Sequence, residues 1–234
     1  MTYIKPICCA MALFTSLSGF ALTATTNGVT WTYTVSGGTA TITGSSRKYG
    51  AIAIPSNLGG YNVRCIGIEV FRKSDLTSVT IPDSVTHINT NAFRECYSLS
   101  SVTLGNGIET IDNAAFKDCS SLTNVTLPSS LTLIHNYVFA GCTSLTEMTV
   151  PDKVTYLRPH AFEDCTGLIN VKIGKKVSKI SDGCFARCSS GIYGVGCDDS
   201  RHMGGAFDML YFDMLYELQG APRRKRWDMC DSFA

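Results

Sequence analysis

This chain has almost no charge excess. Its 20 basic residues face 19 acidic ones, for a formal net charge of +1. That balance gives no electrostatic case for a nucleic-acid partner. Catalytic constellations are also missing: no glycine-rich phosphate loop, nucleophile elbow or paired-carboxylate motif occurs. Histidine is scarce. His87, His135, His160 and His202 fall at unrelated positions, and none meets a Ser or Asp at a suggestive spacing. No catalytic residue and no cofactor is therefore assigned. Cys184, Cys188, Cys197 and His202 form the one group with metal-ligand character, and the Cys184-x-x-x-Cys188 spacing is tolerable for zinc. Cys188 is better explained by the pattern described next, so no metal is expected. Arg223-Arg224-Lys225-Arg226 reads as a solvated tail rather than a nucleic-acid patch. No second apolar run follows the one at the N terminus, so the processed chain is expected to have no stable membrane insertion.

What the chain does have is a repeat. Five segments over residues 76–190 stand in register: LTSVTIPDSVTHINTNAFRECYS, LSSVTLGNGIETIDNAAFKDCSS, LTNVTLPSSLTLIHNYVFAGCTS, LTEMTVPDKVTYLRPHAFEDCTG and LINVKIGKKVSKISDGCFARCSS. Leu76, Leu99, Leu122, Leu145 and Leu168 are 23 residues apart, as are Phe93, Phe116, Phe139, Phe162 and Phe185. An unbroken period of this length signifies a solenoid, in which each coil contacts its neighbours and cannot bury its apolar side alone.

The columns suggest how a coil is built. Val79 and Ile81 are two apart, so both point to one side of a strand, and their equivalents recur in each copy. The alternate positions then point outward: Ser78 and Thr80, Ser101 and Thr103, Asn124 and Thr126, Glu147 and Thr149, Asn170 and Lys172. Pro82, Gly105, Pro128, Pro151 and Gly174 end the strand. Two more columns point inward, Val85 to Val177 and Ile88 to Ile180. The expected fold class is mainly β, with a parallel sheet on one face of the solenoid.

The pattern Leu-x-x-Val-x-Ile-Pro-x-x-Val-x-x-Ile-x-x-x-Ala-Phe-x-x-Cys resembles the BspA-like (treponemal-type) leucine-rich repeat. The resemblance implies a leucine-rich repeat solenoid in a surface or secreted binding protein. It implies no catalytic residues.

The flanks are read separately. Residues 1–25 resemble a secretory signal peptide: Lys5 gives a positive start, Ile7 to Leu22 is uncharged, and small residues at Gly19-Phe20-Ala21 and Ala24 offer cleavage sites. In residues 26–50, Val29, Trp31, Tyr33 and Val35 alternate before Gly37-Gly38, and Ala40 and Ile42 follow. That is a β-hairpin signal, with capping of the first coil as its expected task. Residues 51–75 read as an irregular first repeat with a protruding turn at Gly59-Gly60-Tyr61-Asn62, and with Ser74 in the cysteine column. Residues 191–234 read as a degenerate repeat and tail, and helical spacing over 206–218 predicts a capping helix.

Cys96, Cys119, Cys142, Cys165 and Cys188 also repeat every 23 residues. Small, readily buried side chains suit an interior column, so these are expected to be free structural thiols with a weak S–H bond to the next turn. Stacked side chains pointing the same way meet poor disulfide torsions.

The functional expectation is a secreted or cell-surface interaction protein without catalysis. Its outward columns of Ser, Thr, Asn, Glu and Lys suit an extracellular protein or glycan better than a polyanion. The alternative is a purely structural scaffold or spacer. An enzyme or zinc protein built on the Cys/His tail is the weakest alternative. The leader predicts a mature N terminus between residues 20 and 27, checked by N-terminal sequencing of exported protein. Recovery of the full-length chain from the host cytosol would contradict it.

Overall fold

The computed structural model describes residues 20–188. Sixteen strands run through them, with no helix among the described residues. β1 (Leu22–Thr26), β2 (Val29–Ser36) and β3 (Thr39–Ser45) form an antiparallel meander. The irregular coil holds β4 (Tyr49–Ala53), β5 (Asn57–Leu58) and β6 (Tyr61–Ile66). Each later coil adds two short strands. They are β7 (Asp75–Thr80) and β8 (His87–Ile88), then β9 (Ser101–Thr103) and β10 (Thr110–Ile111). β11 (Asn124–Val125) and β12 (Leu133–Ile134) follow, then β13 (Glu147–Thr149) and β14 (Tyr156–Leu157). β15 (Asn170–Lys172) and β16 (Lys179–Ile180) complete the set.

The coils build two parallel sheets rather than the single face expected from the columns. One runs β4-β7-β9-β11 and continues as a separate pair, β13-β15; the other runs from β6 through β8, β10, β12 and β14 to β16. The second arises because the inward Ile88 column is itself extended, pairing Thr110 with His87 and Ile111 with Ile88. A turn at each Pro or Gly column separates the two strands of a coil, so one repeat feeds both sheets.

The third wall is the Ala-Phe-x-x-Cys stretch, a run of turns held by alternating hydrogen bonds. Asn91, Phe93 and Glu95 donate their N–H groups to the next coil, at Asn113, Ala115 and Lys117. Ala92, Arg94 and Cys96 donate within their own coil, to Asn89, Asn91 and Phe93. Two residues per coil take left-handed backbone conformations, including Asn91 and Glu95 and even the bulky Tyr137 and His160, both at φ 58°. Bulky residues enter that region rarely and at a cost. Here the inter-coil bonds, repeated along the wall, hold them there.

Inside the wall the phenyl rings stack. Phe71, Phe93, Phe116, Phe139, Phe162 and Phe185 form one column, with successive centroids 5.1, 5.2, 5.7, 5.6 and 5.1 Å apart and near-parallel planes. All six are buried. Trp31 of β2 meets Phe71 edge-on at 6.4 Å, and β3 pairs parallel with β6. The meander is therefore continuous with the second sheet and the aromatic column.

Two sequence-based boundaries change. Residues 22–25 lie inside the stretch assigned to the leader, yet with Thr26 they form β1, paired from Leu22 opposite Tyr33 to Thr26 opposite Val29. Leu22 belongs both to the apolar run and to a strand, so composition did not divide the two roles. The predicted protruding turn is instead a hairpin: Gly59-Gly60 joins β5 to β6, and the Tyr33 hydroxyl lies where a side chain at Gly59 would have to go. The degenerate repeat from residue 191 and the helix predicted over 206–218 lie outside the described residues.

The column assignment can be tested by mutation. Phe139→Ala removes the central ring of the stack and should cost about 3–5 kcal/mol, whereas Thr126→Ala on the exposed face should cost well under about 1 kcal/mol. Equal denaturation midpoints and slopes for the two variants would refute the assignment.

Candidate functional site

Nine of the ten outward positions are exposed, and Ser78 is half-buried. They lie on the strands from β7 to β15, though not as one uniform surface. Asn124, Thr126, Glu147, Thr149 and Lys172 line a groove of about 600 Å³ across the coils holding β11, β13 and β15. Ser78, Thr80, Ser101, Thr103 and Asn170 lie outside it. Asn170 is tied to the groove all the same, because its amide donates to Glu147 Oε1 at 3.3 Å. Sequence reading missed the groove's other side, formed by Ser129, Asp152, Lys153 and Gly174. Gly174 belongs to the Pro or Gly column itself, and Ser129, Asp152 and Lys153 follow it, so extending the column analysis past the strand end would have found them.

The groove has a backbone cause. Ile54, Ile81 and Val150 donate their N–H groups to Thr80, Thr103 and Lys172 of the next coil, at 2.9, 2.9 and 2.8 Å. Among the described residues the equivalent bonds from Leu104 to Thr126 and from Leu127 to Thr149 are not formed. Nearby bonds are long, 3.4 Å from Thr123 to Ser100 and 3.5 Å from Thr146 to Thr123, against 3.0 Å at Ser100 and Ile169. The phenyl column widens at the same place: Phe139 is 5.7 and 5.6 Å from its neighbours, and the other gaps are 5.1 to 5.2 Å. The coil of residues 122–144 thus stands slightly apart on both sides, and the first sheet divides between β11 and β13.

The cysteine column is interior. Cys96, Cys119, Cys142 and Cys165 are buried, Cys188 is half-buried, and all five are free thiols. Each thiol donates to the carbonyl of the preceding coil's Phe: Cys96 to Phe71 at 2.9 Å, Cys119 to Phe93 at 3.2 Å and Cys142 to Phe116 at 3.3 Å. Cys165 and Cys188 repeat the contact with Phe139 and Phe162, both at 3.1 Å. The bond runs backward, not to the next turn as expected, because the Phe carbonyl lies on the side facing the following coil. Ser74 fills this column in the irregular coil and is also buried. Burial pushes the Cys96 thiol up to about 11. Burial, then the neighbouring thiols of Cys142 and Cys96, raises Cys119 well above its ordinary value. For Cys165 the contact with Cys188 acts first and burial second, in the same direction.

The remaining candidates are scattered. His87 meets the Thr86 hydroxyl at 2.8 Å. His135 lies 3.7 Å from Asp112, and burial lowers its pKa. His160 stacks on Tyr137 at 4.8 Å and lies 3.4 Å from Glu163. Of the four Cys/His tail residues, Cys184 is buried and Cys188 belongs to the ladder, while Cys197 and His202 lie outside the described residues. Among the described residues no group of three or more His, Cys, Asp or Glu could hold a metal ion. Nor is any helix there long and apolar enough to cross a membrane.

A 23-residue step from Leu76 to Leu168, two parallel ladders and repeated Phe and Cys columns define a leucine-rich-repeat β solenoid. The family model for the BspA type leucine rich repeat region matches residues 64–191 in six copies. With more than half of its length matched, the chain belongs to that family. The sixth copy is accounted for by the irregular coil, whose Phe71 joins the phenyl column. A search of curated proteins found no match. Among solved structures, the T. pallidum leucine-rich repeat protein TpLRR is 25% identical with a TM-score of 0.60, over 70% of this chain and 80% of that one. A leucine-rich cell surface protein from Faecalibacterium prausnitzii is 30% identical with a TM-score of 0.61, over 73% of this chain. The match spans 53% of that protein's length. The pneumococcal vaccine antigen PcpA shares the fold at 19% identity and a TM-score of 0.50, over 69% of this chain and 53% of its own.

The thiol geometry predicts slow labelling of Cys96, Cys119, Cys142 and Cys165 in the native protein and full labelling in denaturant without reductant. Labelling that needs reductant would mean disulfides. A thiol whose pKa is raised on folding keeps its proton in the folded state after the unfolded chain has lost it. Stability should therefore fall as pH rises past the ordinary thiol value of 9.0. Cys142→Asp buries an unpaired carboxylate and should unfold the central coils, whereas Cys142→Ala should destabilise only modestly.

Proposed function

We propose that this BspA-type protein is exported and binds an extracellular protein or glycan through the groove across β11, β13 and β15, without catalysis. The groove itself carries the reading: it is a concave site on the outward face, built from side chains the repeat leaves free for contact. Its lining offers the hydroxyls of Thr126, Ser129 and Thr149 and the amide of Asn124, beside Lys153 and Lys172. No aromatic anchor lines it, so single-site binding should be weak and repeated presentation should strengthen it. The F. prausnitzii relative, described as a cell surface protein, supports placement outside the cytoplasm.

Export fits the strand layout. β1 uses Leu22, so a leader cut after Ala21, behind Gly19-Phe20-Ala21, leaves the meander whole. The meander then serves as a cap, with Trp31 covering the first ring of the phenyl column.

The test compares two bulky substitutions. Thr149→Trp should fill the groove and abolish attachment to the partner found by screening extracellular proteins and glycans. Thr103→Trp, on the same face outside the groove, should leave attachment intact. If neither variant alters attachment, the outward face is not the binding surface and the spacer reading prevails.

A further inference from the structure

Charge is distributed unevenly along the solenoid. The coil of residues 122–144 carries no Asp, Glu, Lys or Arg, whereas the coil of 168–190 carries Lys172, Lys175, Lys176, Lys179 and Arg187 against Asp182 alone. Register decides what this means in space. Thr149 pairs with Lys172 and Tyr156 with Lys179, so the intervening turn holds Lys153 in register with Lys176. Both are exposed. Neighbouring coils are about 4.8 Å apart, and like charges directly opposite each other at that spacing are destabilising.

Elsewhere the coils oppose unlike charges. Arg72 lies 3.3 Å from Glu95, and Arg187 lies 2.6 Å from Asp164. Among the described residues no such ion pair forms at Lys153, Lys172 or Lys176. The two carboxylates of the groove accept other donors: Asp152 accepts the Lys175 N–H at 3.1 Å, and Glu147 accepts the Asn170 amide. The positive rim extends to the second sheet, where Arg158 and Lys179 lie over the Tyr156 ring at 4.7 and 5.2 Å. The Ser181 hydroxyl, donating to Tyr156, and these two cations lower the phenol's pKa. Lys153 and Lys172 line the groove together with Glu147 and Asp152, and with Lys176 in register beside Lys153 the rim keeps an excess of cations next to a bank of hydroxyl and amide groups.

We infer that this rim, formed by Lys153, Lys172 and Lys176, binds an acidic glycan, a polysaccharide bearing carboxylate or sulfate groups. This rests on the groove being the binding surface and names the partner class. The anionic groups screen the Lys153–Lys176 repulsion, and sugar hydroxyls meet Asn124, Thr126, Ser129 and Thr149. A peptide partner would look for an aromatic or aliphatic anchor pocket, and the apolar residues of the lining, Val125, Leu127, Val150, Pro151 and Ile173, are all buried beneath the polar ones. Single-stranded nucleic acid would look for a free aromatic platform, and the Tyr156 ring is already occupied by cations. The outward columns alone spoke against a polyanion, because Lys153 and Lys176 lie in the turn beyond them.

The experiment is calorimetric titration of the mature protein with four probes. They are a sulfated heparin hexasaccharide, a carboxylated oligogalacturonate, the neutral sugar maltohexaose, and poly-glutamate. One or both acidic sugars should bind, more weakly as salt rises, and the neutral sugar should not. The sulfated and carboxylated arms identify which anion is read. K153Q/K176Q should lower affinity on the order of tenfold or more while leaving the melting temperature unchanged or higher, because a repulsive pair is removed. K153R/K176R should retain binding, as should K117Q on the turn wall. Equal binding of neutral and acidic sugars, wild-type affinity in K153Q/K176Q, or a lower melting temperature in that variant would overturn the inference. Binding of poly-glutamate alone would overturn it in favour of an acidic peptide. If no acidic sugar binds but Thr149→Trp still abolishes attachment, the groove stands and the glycan does not; if neither effect appears, both fall.

Discussion

The phenyl stack requires every coil to bring its ring into line with the last, and most of the architecture follows from that constraint: the steps from Phe93 to Phe185 are each 23 residues, and the irregular coil, one residue shorter, still sets Phe71 5.1 Å from Phe93. A one-residue insertion within the turn wall itself would carry a ring away from its neighbours. It would also break the inter-coil bonds on either side, because the Phe93 N–H reaches Ala115 one coil on. The same Phe carries a third contact, since its carbonyl accepts both the Cys96 N–H of its own coil and the Cys119 thiol of the next. Ring, amide and carbonyl of one residue are therefore all committed to coil spacing. The cysteine belongs to this unit: it is small enough for the interior and supplies a second donor to a carbonyl that would otherwise have one. Ser74 keeps a donor-bearing side chain at that position where the column begins.

Where spacing relaxes, a surface feature appears. The coil around Phe139 is set off from both neighbours, and on its outward side the sheet lacks two ladder bonds. The groove lies over that gap. The core spacing and the groove are two views of one displacement, which ties the candidate site to packing deep in the solenoid. The uncharged coil holds the upper wall of the groove and the lysine-rich coil its lower rim. Between the two, Glu147 and Asp152 line the groove beside Lys153.

Much of this was legible in the residues themselves. The inward columns from Leu76 to Leu168 and from Phe93 to Phe185 are buried as the repeat implies, and Trp31 and Tyr33 are packed as alternation implies. The single-face picture failed at His87–Ile88 and its equivalents, because a two-residue strand is too short to show alternation. The antiparallel start was placed too late because Leu22 serves both an apolar run and a strand. The left-handed conformation at Tyr137 runs against residue preference, and the bond that holds its N–H runs to Pro159 of the next coil. The site was only half visible: the strand positions Asn124, Thr126, Glu147, Thr149 and Lys172 came from their columns, while Ser129, Asp152 and Lys153 sit in turns where the columns were not followed.

The sequence alone determined the period, and with it which residues are equivalent, which lie in the core and which stack, because a fixed 23-residue step maps equivalent positions onto one another in successive coils. It did not determine how closely those coils approach. That distance is set jointly by the phenyl column, the turn-wall bonds and the two sheets, which are contacts between residues a full coil apart. The parting at the central coil and the groove above it were decided only there, whereas the facing of Lys153 and Lys176 follows from the 23-residue step. A repeat dictates register by its length, but spacing is the outcome of packing summed over three walls.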